Sequence, residues 1–214
     1  MDPLRELGHL GQSVWTVSIS RSPPTPGELA RPVHGPRPAR TCPGRGEGGG
    51  RLEVPPSHAH DTAGTVAGAR RLWNTVGREN LMMKVPGTAE GIPAIRQLIS
   101  EGINVNVTLL FGVGRYDEAA QAYVDGLSTF VEQGGDASTI GSVASIFVSR
   151  LDTMADALIT KRLTAVTATD ARASLSTLLG KVAIANAKLA YQKYLARCRS
   201  AAWQRLAAQG AHPQ

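Results

Sequence analysis

The sequence predicts an α/β fold built on parallel strands, a partial (β/α)8 TIM-type barrel that lacks several of its strands. Three observations lead there. From residue 51 onward, short apolar or β-branched runs alternate with amphipathic helical stretches four times over, the pattern of a parallel sheet with right-handed crossovers. No glycine-rich dinucleotide loop and no Walker loop follows any of these runs, so nucleotide-binding doubly wound folds lose ground. The polar residues able to do chemistry, Glu53, Lys84, Asn106, Thr108 and Ser145, fall toward the C-terminal ends of strands, where barrels of repeated βα units carry their reactive groups.

Residues 1–50 stand apart from the 51–214 domain. From Ser22 to Gly50 the chain is rich in Pro, Arg and Gly and has no apolar periodicity, so it is expected to be a low-complexity, mobile region. Within it, Gln12 to Ile19 reads as a strand, and Gly27 to Arg31 as a helix start that Pro32 stops. Order begins with a strand at Arg51 to Val54, closed by Pro55-Pro56. Asp61 is placed to cap a helix reaching Val76, with Val66, Ala69, Leu72, Trp73 and Val76 on its apolar face. Leu81 to Val85, too short for a helix and bounded by Gly77 and Pro86-Gly87, reads as a buried strand.

A second helix presents Ile92, Ile95, Leu98 and Ile99 and is expected to end at Gly102. Ile103 to Phe111 is a long β-branched strand with polar residues at alternate positions. The helix from about Tyr116 to Glu132 turns Ala120, Tyr123, Leu127 and Val131 inward and stops at Gly134-Gly135. A fourth strand, about Ser142 to Val148, leads into a C-terminal third that is helix-forming throughout. There Leu175, Leu178, Leu179, Val182 and Leu189 are expected to share one face. Lys181, Lys188, Lys193, Arg197 and Arg199 are expected to form a solvated surface.

Composition narrows the function. At 214 residues with 42% hydrophobic content the chain can bury a sizeable core as one domain. No run approaches the roughly 18 apolar residues of a membrane span, and Arg5, Glu6 and His9 interrupt any secretory h-region, so a cytoplasmic location is expected. Cys42 and Cys198 offer neither a disulfide framework nor a zinc spacing. Lys and Arg number 23 against 17 Asp and Glu, a net +6 that suits anionic substrates. With aromatics at 5% and none interleaved with basic residues, a nucleic-acid stacking surface is not supported.

Lys84 is the residue at odds with its surroundings. An ammonium inside an apolar strand must be paired, must snorkel, or must give up its proton, and a neutral amine is a nucleophile for carbonyls. Period-two geometry sets Asn104, Asn106 and Thr108 on one strand face, pointing where Lys84 can point. Lys84 could thus add to a ketone, Glu53 could move protons through a water, and Asn106 with Thr108 could orient that water or the substrate hydroxyls. Arg150 with Ser145 suits a phosphate. Structural alternatives stand beside these roles: Glu53 as a charge partner of Lys84, Asn106 and Thr108 satisfying each other in the sheet, and Arg150 pairing locally near Asp152 and Asp156. His58 and His60 could share a strand face as metal ligands, without an evident third.

The residues Leu81-Met82-Met83-Lys84-Val85-Pro86, the run Glu101 to Phe111, and Ser145 to Arg150 resemble the central motifs of the transaldolases. Leu52-Glu53-Val54, Ala59-His60-Asp61-Thr62 and Leu179 to Tyr191 extend the likeness, which covers about residue 51 to the C-terminus. The resemblance implies class I aldolase-type chemistry on a (β/α)8 barrel: Lys84 as Schiff-base lysine, Glu53 acting with a bound water, Asn106 and Thr108 as active-site polar residues, Ser145 and Arg150 as phosphate site. It implies transfer of a dihydroxyacetone unit from sedoheptulose 7-phosphate to glyceraldehyde 3-phosphate, in the pentose phosphate pathway, with no metal or organic cofactor. Two departures come with it. Val17 stands where the family carries an acid/base aspartate, and four strands with a doubtful fifth stand where eight close a barrel. The expectation is therefore a truncated or rearranged member, whose missing strands a homo-oligomer or another partner could supply. Alternatives are a non-catalytic binding remnant or another class I sugar-phosphate aldolase.

Overall fold

The computed structural model describes residues 50–214. The strand expected at Gln12 to Ile19, the helix start at Gly27 to Arg31, Val17 and Cys42 lie outside the described residues. Four strands, β1 (Arg51–Glu53), β2 (Met82–Pro86), β3 (Val105–Leu110) and β4 (Ser142–Ile146), form one sheet in the order β1-β2-β3-β4, every neighbouring pair parallel. The crossovers are α1 (Thr62–Val76), α2 (Gly91–Ser100) and α3 (Val113–Glu132). Sequential strands that neighbour each other in parallel through helices are the beginning of a βα barrel wall, as the alternation predicts.

Each crossover helix forms for a reason visible in the sequence. Asp61 accepts a hydrogen bond from Gly64 N (3.0 Å) and so caps α1, and that bond holds its carboxyl below the usual range. Thr88 Oγ1 accepts from Gly91 N at the start of α2, while Gly102 (φ +81°) takes the left-handed position just past its end. Ala94, Ile95, Leu98 and Ile99 are fully buried on one face of α2. That face meets α3 where Gly126 sits, and a Cβ there would lie 2.5 Å from the carbonyl oxygen of Arg96, so only glycine permits the approach. Met83, Val85, Val105 and Val107, all fully buried, complete the core on the helix side of the sheet.

The C-terminal part departs from expectation. It comprises α4 (Ser149–Ala165), α5 (Thr169–Ser176), α6 (Val182–Cys198) and α7 (Ala201–Ala207). The anticipated apolar face is not buried: Leu178, Leu179 and Leu189 are exposed, and Leu175 and Val182 are half-exposed. The buried residues of α6 are small ones instead, Ala183 and Ala190, on a helix that contacts both α3 and α4. The expected solvated cations are likewise partly engaged. Arg197 and Lys193 both pair with Asp117 of α3, at 2.7 and 3.3 Å. Neither α4 nor α5 buries a residue. Trp203 and Leu206 of α7 are buried, and Trp203 packs near Tyr123, whose hydroxyl donates to the carbonyl of His212. Among the described residues no helix is long and apolar enough to cross a membrane.

Candidate active site

The sheet has two chemically different faces. Alternation along β2 sends Met83 and Val85 toward the helices and Lys84 to the opposite side. In register across the strands, Glu53 lies beside Lys84, Lys84 beside Asn106, and Asn106 beside Val143. One row therefore carries carboxylate, amine and carboxamide in consecutive strands. Lys84 Nζ donates to Glu53 Oε2 at 3.2 Å, with the lysine side chain 24% and the glutamate 48% exposed. The amine is partly withdrawn from water and the carboxylate reaches it from the open side.

Asn106 is buried, and its Oδ1 accepts from Ser145 Oγ at 3.0 Å. That bond fixes the carboxamide and leaves its Nδ2 with donors to spend. Thr108, also buried, follows two residues further along the same face. The site residues are less terminal than the sequence suggests. Glu53 ends β1, but Lys84 is the middle residue of β2 and Asn106 the second of β3. Of the alternatives, the Lys84–Glu53 ion pair is present, whereas Asn106 is satisfied by Ser145 and not by Thr108.

Asn104 does not join this row. Its Nδ2 donates to the carbonyls of Glu79 and Leu81 and its Oδ1 accepts from Gly141 N, so one buried side chain stitches the segments entering β2 and β4. Period-two spacing from Asn106 is a true signal of facing but carries no information about height within the sheet. Ser145 and Arg150 are not joined either. Ser145 is turned toward Asn106, and the Arg150 guanidinium lies 5.0 Å above the ring of Phe147, which stacks on Phe111 at 5.1 Å. Nor does Arg150 pair locally: Asp152 and Asp156 accept from the backbone N–H groups of Ala183 and Gly180.

The reading of His58 and His60 as ligands on one strand is corrected. His58 ends a short 3-10 turn beside Asp61, and His60 Nδ1 lies 3.2 Å from Glu90 on the loop after β2. That loop is tied down further, Thr88 Oγ1 donating to Ala59 O and Thr62 Oγ1 to Glu90 O. Past the strand ends lies an open cleft of about 470 Å³, lined by Gly87, Thr88, Glu90, Leu109, Phe111 and Arg115 among others. Lys84 does not line it; the cleft lies among the segments that follow β2 and β3. Sequence reasoning missed these residues, and the run Pro86-Gly87-Thr88, opening a helix straight after the lysine strand, is the signal that pointed to them.

Comparison with known proteins agrees with the geometry. The family model described as transaldolase/fructose-6-phosphate aldolase matches residues 46–208. The chain is 51% identical over 163 residues to a transaldolase of Trichodesmium erythraeum, covering 76% of this chain and 43% of that protein. It is 50% identical over 179 residues to transaldolase 2 of Nostoc punctiforme, 83% and 47%, and 47% identical over 163 residues to a transaldolase of Acidothermus cellulolyticus, 76% and 41%. It spans less than half the length of these relatives. With a matching family model over most of its length and a parallel βα sheet carrying a lysine, a glutamate and an asparagine in one row, the chain belongs to the transaldolase/fructose-6-phosphate aldolase family.

Proposed function

We propose that the protein is a transaldolase, moving a dihydroxyacetone unit between sugar phosphates through a Schiff base on Lys84. The observation that carries the reading is the amine of Lys84 held 3.2 Å from the Glu53 carboxylate, in register with Asn106, on the polar face of the sheet. The nitrogen lone pair adds to the C2 carbonyl of a ketose phosphate, and the oxygen leaves as water once protonated. Glu53 is positioned to take the proton the amine sheds and return it to the departing hydroxyl. Asn106, oriented by Ser145, donates to a substrate hydroxyl, and Thr108 does the same one step higher. Arg150 is the cation for the phosphate and swings from the Phe147 ring to reach it.

Cleavage between C3 and C4 needs a base for the C4 hydroxyl. The row contributes none beyond Glu53, and Val17 occupies the position where the family resemblance puts an aspartate. Loss of a general base costs about 10²–10⁴ in rate, so imine formation is expected to outrun carbon–carbon cleavage. A cytoplasmic location and sugar phosphates as partners belong to the same proposal.

The test is borohydride reduction in the presence of fructose 6-phosphate, followed by mass spectrometry. One sugar adduct per chain, mapped to Lys84 and lost in Lys84→Ala, is the expected result. A folded protein that takes no label, or labels equally in Lys84→Ala, overturns the proposal. The family description also names fructose 6-phosphate aldolase, which starts from the same imine. Release of free dihydroxyacetone, rather than its transfer to an added aldehyde phosphate, would favour that second reading.

A further inference from the structure

The end of β3 is not a regular strand. Leu109 has φ +58°, in the left-handed region where a leucine is held only if its surroundings enforce it. The β3–β4 register slips at the same place, between Val107 and Leu110. Both neighbours are fixed: Gly87 N donates to Thr108 O at 2.7 Å, Phe147 N donates to Leu110 O at 2.8 Å, and Thr108 and Leu110 are buried. Had the pleat continued, Leu109 would face the helices with Val105 and Val107. Instead its side chain is 38% exposed and lines the cleft past the strand ends, together with Phe111. An exposed leucine is ordinary, but one brought out of the core by a costly backbone conformation calls for a reason.

Its position supplies one. β3 lies between β2, which carries Lys84, and β4, which leads to Arg150. With about 4.8 Å between neighbouring strands, β2 and β4 are about 10 Å apart. A ketose phosphate joined to Lys84 and reaching toward Arg150 has to pass over the end of β3. Leu109 stands there, and the Phe111–Phe147 stack with Arg150 above it continues the apolar floor toward the cation.

We infer that Leu109 is a specificity-determining contact: its side chain packs against the carbon chain of the bound sugar phosphate, and the left-handed backbone at the strand end exists to put it there. The inference rests on the Schiff-base reading for where the carbonyl carbon lies. The left-handed φ separates backbone from side chain, because glycine and asparagine both accept it while leucine does so at a cost.

The experiment measures fructose 6-phosphate dissociation constants by calorimetry on the full chain and on Leu109→Gly, Leu109→Asn and Leu109→Met, with melting temperatures and borohydride labelling in parallel. Leu109→Gly and Leu109→Asn should melt no lower than the wild type yet bind about tenfold more weakly, the scale of one lost apolar contact. Leu109→Met, still apolar and more adaptable, should stay within about threefold of the wild type. Wild-type binding by Leu109→Gly and Leu109→Asn, or a Leu109→Met as weak as Leu109→Asn, overturns the contact. A sharply lowered melting temperature in Leu109→Gly overturns the claim of backbone cost. Wild-type binding without labelling defeats only the Schiff-base reading, since the dissociation constants still decide on Leu109; no wild-type binding defeats both.

Discussion

The βα part of the molecule, from β1 through β4, and the helices that follow it are built on different terms. In the first, each crossover helix buries an apolar stripe: Val66, Ala69 and Leu72 on α1, Ile95, Leu98 and Ile99 on α2, Tyr123, Val124 and Leu127 on α3. In the second, α4 and α5 bury nothing, and Met154, Leu158, Ile184 and Leu189 are half-exposed or more. Both have adequate helix-forming sequence. The difference is that a helix is stabilised chiefly by what its apolar face meets, and the sheet meets three helices well and α4 hardly at all. The Glu53–Lys84–Asn106 row belongs entirely to the first part, so the proposed chemistry rests on the better-anchored half.

Four substitutions bear on that contrast. Ile95→Ala empties a fully buried site between the sheet and α3 and should cost about 2–5 kcal/mol in urea denaturation; a cost under about 1 kcal/mol would mean the βα core is as loosely held as the rest. Asn104→Ala strands two carbonyls and one N–H in the base of the sheet and should cost about 3 kcal/mol. It should leave labelling of Lys84 intact wherever the protein is folded, because Asn104 sits outside the reactive row.

Asp117→Asn removes the charge that pairs α3 with Arg197 and Lys193 of α6, while the Arg197 bonds to Gln121 and to the Asp117 carbonyl remain. The effect should be about 1 kcal/mol, read as faster amide hydrogen exchange in α6 with α2 unchanged. The same link gives the pH dependence. Hydrogen bonding to Arg197, with Lys193 adding to it, holds the Asp117 carboxyl below its ordinary value. Its contribution is therefore complete above about pH 4 and is lost as the pH falls through the lower folded value. Acid should loosen α6 before it loosens α2, and the sequence is visible by following exchange down the pH scale. Smallest of all, Leu158→Lys on the exposed side of α4 should change stability by less than about 0.5 kcal/mol. A loss comparable to that of Ile95→Ala would show that α4 is covered in solution.

Much of the candidate site was legible in advance. A lysine inside Leu81 to Val85 is conspicuous because its neighbours are apolar, and alternation alone sends Lys84 away from Met83 and Val85. Glu53 and Asn106 follow from parallel neighbouring strands in near register. Asn104 illustrates the limit. It shares parity with Asn106 and looks like a member of the site, yet its bonds go to Glu79, Leu81 and Gly141, because which end of a sheet a residue occupies depends on stagger between strands. Arg150 illustrates another: it lies over the ring of Phe147, three residues before it, while Ser145 turns to Asn106.

By itself, the sequence determined the order and type of the elements from β1 to β4, the helix caps at Asp61 and Gly102, and the lysine on the polar face, since these follow from periodicity and from the conformations single residues allow. Only the tertiary structure decided that Ala183 and Ala190, not the leucines around them, are the buried residues of α6, that Ser145 holds Asn106, and that Leu109 takes a left-handed backbone at the end of β3. Those outcomes depend on how close two elements approach and on where a register breaks, distances that are set by the whole packed assembly and leave no mark on any short stretch of chain.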